Sequence, residues 1–341
     1  MKRALVLSSA VTFCACVTAQ DNPTNVHDLR VLGMRMEPPE VLMRGCNVEL
    51  LLGVVGGGGS LDGGTFMLPP QAVAALGSSL ITPINFSALI ADPAGAGRSL
   101  DYRLLTCASR GDRDCNNEGD FLELAAGTTT GGELKLNNVS PVFYLGPDAG
   151  IRTLDDGSAT PLFFEVINQD TFKGLGGIRI PVVLELSAAD TGEKIYAQKL
   201  MIYTCNLFPE MKQNVTPVLP GLTFDGDPWL EGEVKKVKGN AAIPFEAMNF
   251  TDLEEDYVVP SLELKPVALK ESWKISWMTT SGTMSTYNTG GTGFDGETER
   301  HFSSWRPNPA DDAEKDVEFY FVVRDGRGGN SWTKRSVRWI P

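Results

Sequence analysis

Val317-Glu318-Phe319-Tyr320-Phe321-Val322-Val323-Arg324, followed by Asp325-Gly326-Arg327-Gly328-Gly329-Asn330, is the stretch that decides the class of fold. Val317, Phe319, Phe321 and Val323 recur every second residue, which in an extended chain puts all four side chains on one face. The Asp/Gly/Asn run supplies the positive-φ positions of a tight return. The chain then resumes toward Val337, Trp339 and Ile340, so the segment predicts a hairpin with one face in a core.

The same signature recurs along the chain. Cys46, Val48, Leu50, Leu52 and Val54 alternate with their neighbours. Ile178, Ile180, Val182, Leu184 and Leu186 form a second row, and Trp273, Ile275 and Trp277 a third. Ala189-Asp190-Thr191-Gly192-Glu193 is a hairpin tip joining the 178–186 strand to one ending at Cys205. Long stretches of helical period are absent, and only Pro70 to Leu76 reads as a short helix. The expectation is an all-β protein of two Ig-like β-sandwich modules in tandem, with long Gly-rich loops. Pro209, Pro217 and Pro220 mark the boundary, giving modules over 28–210 and 218–341. The first has excess length at Gly56–Gly59, Gly63-Gly64 and 108–160.

The amino terminus predicts export. Met1-Lys2-Arg3 precedes an uncharged apolar run from Ala4 to Val17, the length of a signal-peptide core and short of the roughly 20 residues that span a bilayer. Two processing routes stand open for a leader over 1–19. Cleavage after Val17-Thr18-Ala19 leaves Gln20 first. Alternatively Cys16, placed at the end of the apolar run, takes a lipid. Residues 20–27 are polar and read as a tether. Four cysteines remain beyond Cys14 and Cys16. In an oxidising compartment they predict two disulfides, and of three possible connectivities Cys107–Cys115 with Cys46–Cys205 is preferred. On the chain-entropy account the long loop of the latter restricts the unfolded chain by about 4–5 kcal/mol.

Removing Lys2 and Arg3 with the leader leaves 28 basic against 43 acidic residues, a net charge of −15. A surplus of that sign disfavours nucleic acid, whose phosphates demand a basic stripe. It equally disfavours an electrostatic hold on anionic lipid head groups.

Leu29-Arg30-Val31-Leu32-Gly33-Met34-Arg35 with Glu37-Pro38-Pro39-Glu40-Val41 resembles the opening of predicted secreted lipoproteins of the myxobacterial type. Phe86 to Asp92 and Leu100 to Cys107 fit the paired strands that follow in such proteins. Phe321 to Gly329 is similar to the last hairpin of bacterial Ig-like modules. The resemblance covers about a third of the chain and implies an Ig-like sandwich at the cell surface. It brings no catalytic residue with it, and the Gly-rich insertion over 56–64 departs from its pattern.

Several constellations carry possible chemistry. Asp112, Asp114, Asn116, Glu118, Asp120 and Glu123 occupy positions 1, 3, 5, 7, 9 and 12 of a calcium-loop template, in which alternate oxygens wrap a hard cation. Asn117 stands where that template has Gly, and a solvated acidic loop explains the same residues. Asp325 with Asn330, and Asp225 with Asp227, supply oxygens but also ordinary turn chemistry. Asp190-Thr191-Gly192 spells an aspartic-protease triplet, yet it occurs once and such enzymes need two aspartates. Ser331 and Lys334 have Ser-x-x-Lys spacing in a segment that reads as strand. Cys-rich zinc spacing is lacking, and His27 and His301 lie far from the cysteines. A histidine-based triad would have to use one of these two. Gly174, Gly176 and Gly177 follow no strand-to-helix turn that would cradle phosphate.

Every Trp lies in the second module. Trp273, Trp277 and Trp339 sit at core positions, whereas Trp305 and Trp229 fall in loop-like sequence. There they could stack on a sugar or grip a partner; core packing beneath long loops is the alternative. Asn85, Asn138, Asn214 and Asn249 are glycan acceptors only in a eukaryotic secretory route. The functional expectation is a non-enzymatic cell-envelope lipoprotein, held at the outer membrane by its N-terminal lipid or else secreted in soluble form. It would bind or scaffold a protein or polysaccharide at the cell surface. A carbohydrate-binding or adhesive module, calcium-assisted or not, and an undetected hydrolase are the alternatives.

Overall fold

The structure is a computed structural model. It describes residues 23–43, 82–107, 121–139, 151–153, 159–161, 166, 176–291, 301–308 and 311–341. Extended segments dominate these residues. In the first half they are β1 (Arg30–Glu37), β2 (Glu40–Met43), β3 (Ile84–Ala91), β4 (Leu100–Thr106), β5 (Leu122–Thr129) and β6 (Gly132–Val139). The short β7 (Ile151–Thr153) and β8 (Ala159–Pro161) follow, then the long β9 (Ile178–Ala188) and β10 (Glu193–Cys205). The second half contains β11 (Leu222–Phe224), β12 (Asp227–Pro228), β13 (Val234–Lys238), β14 (Ile243–Ala247), β15 (Asp256–Pro260) and β16 (Pro266–Lys270). It continues through β17 (Lys274–Thr279), β18 (Thr283–Met284), β19 (Asn288–Gly290), β20 (Phe302–Arg306), β21 (Lys315–Arg324) and β22 (Asn330–Ile340). The Pro70–Leu76 helix and the Cys46–Val54 strand fall outside the described residues.

The protein is all-β, built as two Ig-like sandwiches. In the first, the sheet β1-β3-β6 faces the sheet β2-β10-β9-β4-β5. In the second, β12-β11-β14-β20-β18 faces β13-β22-β21-β17-β19. Among the described residues, no sheet draws strands from both sides of the 206–221 segment. Each module closes alike: an early strand pairs parallel with the last one, β2 with β10 and β13 with β22. Glu37-Pro38-Pro39 lets one edge of the first module change sheets, β1 joining one sheet and β2 the other, because prolines cannot donate to a ladder.

The cores follow the alternation. In β9, Ile178, Ile180, Val182, Leu184 and Leu186 are buried against Met34, Met36, Phe86, Ala88 and Ile90 of the opposite sheet. The second core is aromatic. Phe319 meets Phe245 edge-on at 5.0 Å and Trp305 at 5.1 Å. Such pairs add about 0.5–1.5 kcal/mol each beyond burial.

The alternation also misses something, because the outward residues of β21 are apolar too. Tyr320 and Val322 enter a third core with Met278 of β17, Leu32 of β1, Leu89 and Ala91 of β3, and Val26. This core cements one module to the other. Gly33 makes the approach possible: a Cβ there would lie 3.0 Å from the Trp332 ring. Val26 corrects the tether expectation. Residues 24–26 are strapped to the second module, with Val26 fully buried, its N–H donating to the Thr279 carbonyl at 2.8 Å and Thr279 N–H returning to Thr24. A fully buried apolar side chain and two backbone hydrogen bonds outweigh the freedom that the polar composition suggests.

Candidate functional site

A cleft of about 350 Å³ opens where the modules meet, lined by Val31 to Met34 of β1, Ala197 to Lys199 of β10, and, from the last hairpin, Arg324, Gly326 and Gly328 to Asn330. Three distant stretches of sequence build it. The turn is held by Asp325, a buried carboxylate that accepts the N–H groups of Arg327 (2.7 Å) and Gly329 (2.9 Å) and the amide of Asn214 (2.9 Å). Burial raises the Asp325 pKa, and these hydrogen bonds oppose that rise.

Two cations line this cleft. Lys199 donates to the Gly328 carbonyl. Burial pushes its ammonium down to about 8, with Arg324 adding to the fall and Asp325 resisting it. Arg324 donates to Ser276 Oγ at 2.9 Å and to the Leu32 carbonyl at 3.3 Å, both neutral acceptors, and burial lowers its pKa as well. Among the described residues, neither cation has a carboxylate at ion-pair distance. Asn330 is 8 % exposed, and its side-chain oxygen receives no donor. Gly328, at φ +109°, has no room for more: a Cβ would stand 3.2 Å from Ile202.

Beside the cleft, Arg327 clasps the modules together. Its guanidinium meets Glu40 of the first module at 3.2 Å and Glu271 of the second at 3.2 Å, with Glu255 at 3.5 Å. It also donates to the Lys212 carbonyl of the linker and lies 4.2 Å over the Tyr257 ring. Ser331 Oγ donates to the Pro217 carbonyl, pinning the linker from the other side.

The residues singled out from sequence are dispersed. Trp305 and Trp229 are corrected: at 1 % and 2 % exposure they belong to the second core and offer no stacking face. Their indole N–H groups end on the carbonyls of Ser281 (2.8 Å) and Glu233 (3.2 Å), which satisfies the polar edge of each ring inside the fold. Of the calcium template, Asp112, Asp114, Asn116, Glu118 and Asp120 lie outside the described residues. Glu123 sits on β5 and accepts from Arg103 at 2.8 Å. Cys107 and Cys205 are buried half-cystines. The pairing expected for them involves Cys115 and Cys46, which are not among the described residues; nor is Cys16.

Asp190 is exposed at the β9–β10 tip, 3.4 Å from Arg98. Ser331 is buried, while Lys334 is exposed and paired with Glu318, so the two point to different surroundings. His301 lies 4.4 Å from the Phe250 ring, and its Nδ1 is 3.3 Å from Thr289 Oγ1; burial lowers its pKa. His27 is exposed. Asp225 occupies a hairpin turn at φ +52°. Asn214 is buried and bonded to Asp325, so no glycan fits there. Among the described residues no cluster of three His, Cys, Asp or Glu side chains could hold a metal, and no helix is long and apolar enough to cross a membrane.

Lys199 and Arg324 escaped sequence reading. Their signal was faint: a cation at an alternating position, with apolar residues on both faces of the neighbouring strand.

No family model matches the chain, and no curated protein matches it. Among solved structures, dimeric latent PorU from Porphyromonas gingivalis aligns at 8 % identity and a TM-score of 0.19, over 76 % of this chain and 22 % of that one. The fibronectin(III)-like modules of Clostridium thermocellum CbhA align at 12 % identity and 0.17, over 76 % and 85 %. A protein of unknown function from Porphyromonas gingivalis W83 aligns at 10 % and 0.19, over 76 % and 92 %.

Proposed function

We propose that the chain is a non-enzymatic envelope protein, exported on its leader and anchored through Cys16 at the outer membrane. There its coupled sandwiches bind or scaffold a protein or polysaccharide of the cell surface. The two disulfides, Cys107–Cys115 and Cys46–Cys205, belong to the same reading. One observation carries it: the modules are joined by a dedicated core and a charged clasp that leave an open, cation-lined cleft between them. Sites at module interfaces are favoured places for ligands.

Intact-mass analysis of the native protein, combined with crosslinking in intact cells, tests the proposal. The expected mass carries a lipid on Cys16 and two disulfides, and a crosslinked surface partner accompanies it. A cytosolic, uncut and fully reduced product would overturn it. So would robust turnover of a peptide, ester or glycoside that a single substitution abolishes.

A further inference from the structure

Lys199 and Arg324 pose an electrostatic problem. Burying a cation is costly unless it is paired, and unpaired charges in interiors are uncommon for that reason. Here two cations face one cleft. Asp325, the carboxylate that acts on Lys199, already serves Asn214 and two backbone amides. Arg324 rests on neutral oxygens alone. The cleft is therefore short of negative charge, in a molecule whose overall surplus is negative.

Its other features narrow what would supply that charge. The volume of about 350 Å³ is at the small end for ligand sites, roughly 300–1,000 Å³. Val31, Met34 and Ala197 give it an apolar wall. Asn330 lines the cleft; its side-chain oxygen is enclosed, and its amide N–H2, which donates to no group among the described residues, is left to donate to a ligand hydroxyl. We infer that the junction cleft binds a small hydroxylated carboxylate of the sugar-acid type, its carboxylate between Lys199 and Arg324 and a hydroxyl toward Asn330. The inference rests on the binding reading above and names the ligand class for it.

The source is either a free sugar acid or the terminal residue of an acidic polysaccharide. Calorimetric titration of the purified full chain with D-glucuronate, D-glucose and an oligoglucuronate tests both. Glucuronate should bind and glucose should not, because the sugars differ in the carboxylate. Tighter binding of the oligomer identifies a polymer as the source, and equal or weaker binding identifies the free acid; either outcome supports the carboxylate site. Lys199→Gln should weaken glucuronate by about tenfold or more, the loss expected when one charge-assisted hydrogen bond is removed. Asn330→Ala is a second variant should Lys199→Gln fail to fold, and it should weaken binding less.

Affinity should also fall as the pH rises past about 8, where Lys199 loses its proton, with Arg324 and Asp325 the charged groups facing it. Equal binding of glucose and glucuronate, no binding of glucuronate at millimolar concentration, or unchanged affinity in both variants would overturn the site. If a surface partner still crosslinks in that case, the ligand class fails and the binding role stands.

Discussion

The hairpin that closes the first module turns at Ala189–Gly192 in solvent, whereas the one that closes the second turns at Asp325–Gly329 inside the junction. Both contain an Asp and use Gly at positive φ. At the first tip, Arg98 takes Asp92 in two hydrogen bonds (2.8 and 3.1 Å), Glu193 at 2.6 Å and Asp190 at 3.4 Å. At the second, Arg327 takes Glu40 and Glu271, whose side chains are 9 % and 1 % exposed. The arginine clusters are alike, Asp92 being as covered as Glu271; what differs is the turn itself, exposed in the first hairpin and covered by the other module in the second. A turn cannot announce from its own residues whether another module will cover it.

The sharpest way to break this comparison is to remove the clasp. Arg327→Met keeps the length and apolar stem but leaves Glu40 and Glu271 buried without their cation. Stripping one partner from a buried pair costs about 3–5 kcal/mol. Urea unfolding should show a loss of that size. A loss below about 1 kcal/mol, the range of exposed pairs, would mean that the second tip is as solvated as the first.

What could be read from sequence follows the same division. The row 178–186, the hairpin after Val323 and the aromatic stripe Trp273–Trp277 were legible, because period-2 burial is a local property of a strand. Trp229 and Trp305 were not, since loop-like flanks do not reveal that two sheets close over a ring. The strap at Thr24–Val26 was hidden for a related reason: it pairs with Thr279, more than two hundred residues away. Tyr320 and Val322 held the one usable hint. A β21 with apolar residues on both faces needs two cores, and the second is the junction itself. Arg324 and Asn330 pair across the last hairpin, but Lys199 of the first module meets them only once that junction exists, so the candidate site was legible as parts and not as a place.

Gly33 sharpens the comparison from the side of packing. Gly33→Val would place branched methyls where even a Cβ stands 3.0 Å from Trp332 and 3.5 Å from Val322. Overpacking of this kind costs about 1–3 kcal/mol. The loss should be accompanied by a larger radius of gyration in X-ray scattering as the modules part. Unchanged scattering and stability would show that Trp332 swings aside, and that β1 and β22 are not held by shape.

The smallest effect belongs to the exposed tip. Asp190 is 58 % exposed on its side chain and reaches Arg98 at 3.4 Å, while Asp92 and Glu193 hold the same guanidinium more closely. Asp190→Ser keeps an oxygen suited to the turn and gives up one weak ion pair. Surface changes of this sort fall within about 0.5 kcal/mol of neutral. The melting temperature should hardly move, and affinity for glucuronate should not change, since Asp190 does not line the junction cleft. A drop comparable to that of Arg327→Met would mean that the first hairpin is covered as well, and the contrast between the two turns would vanish.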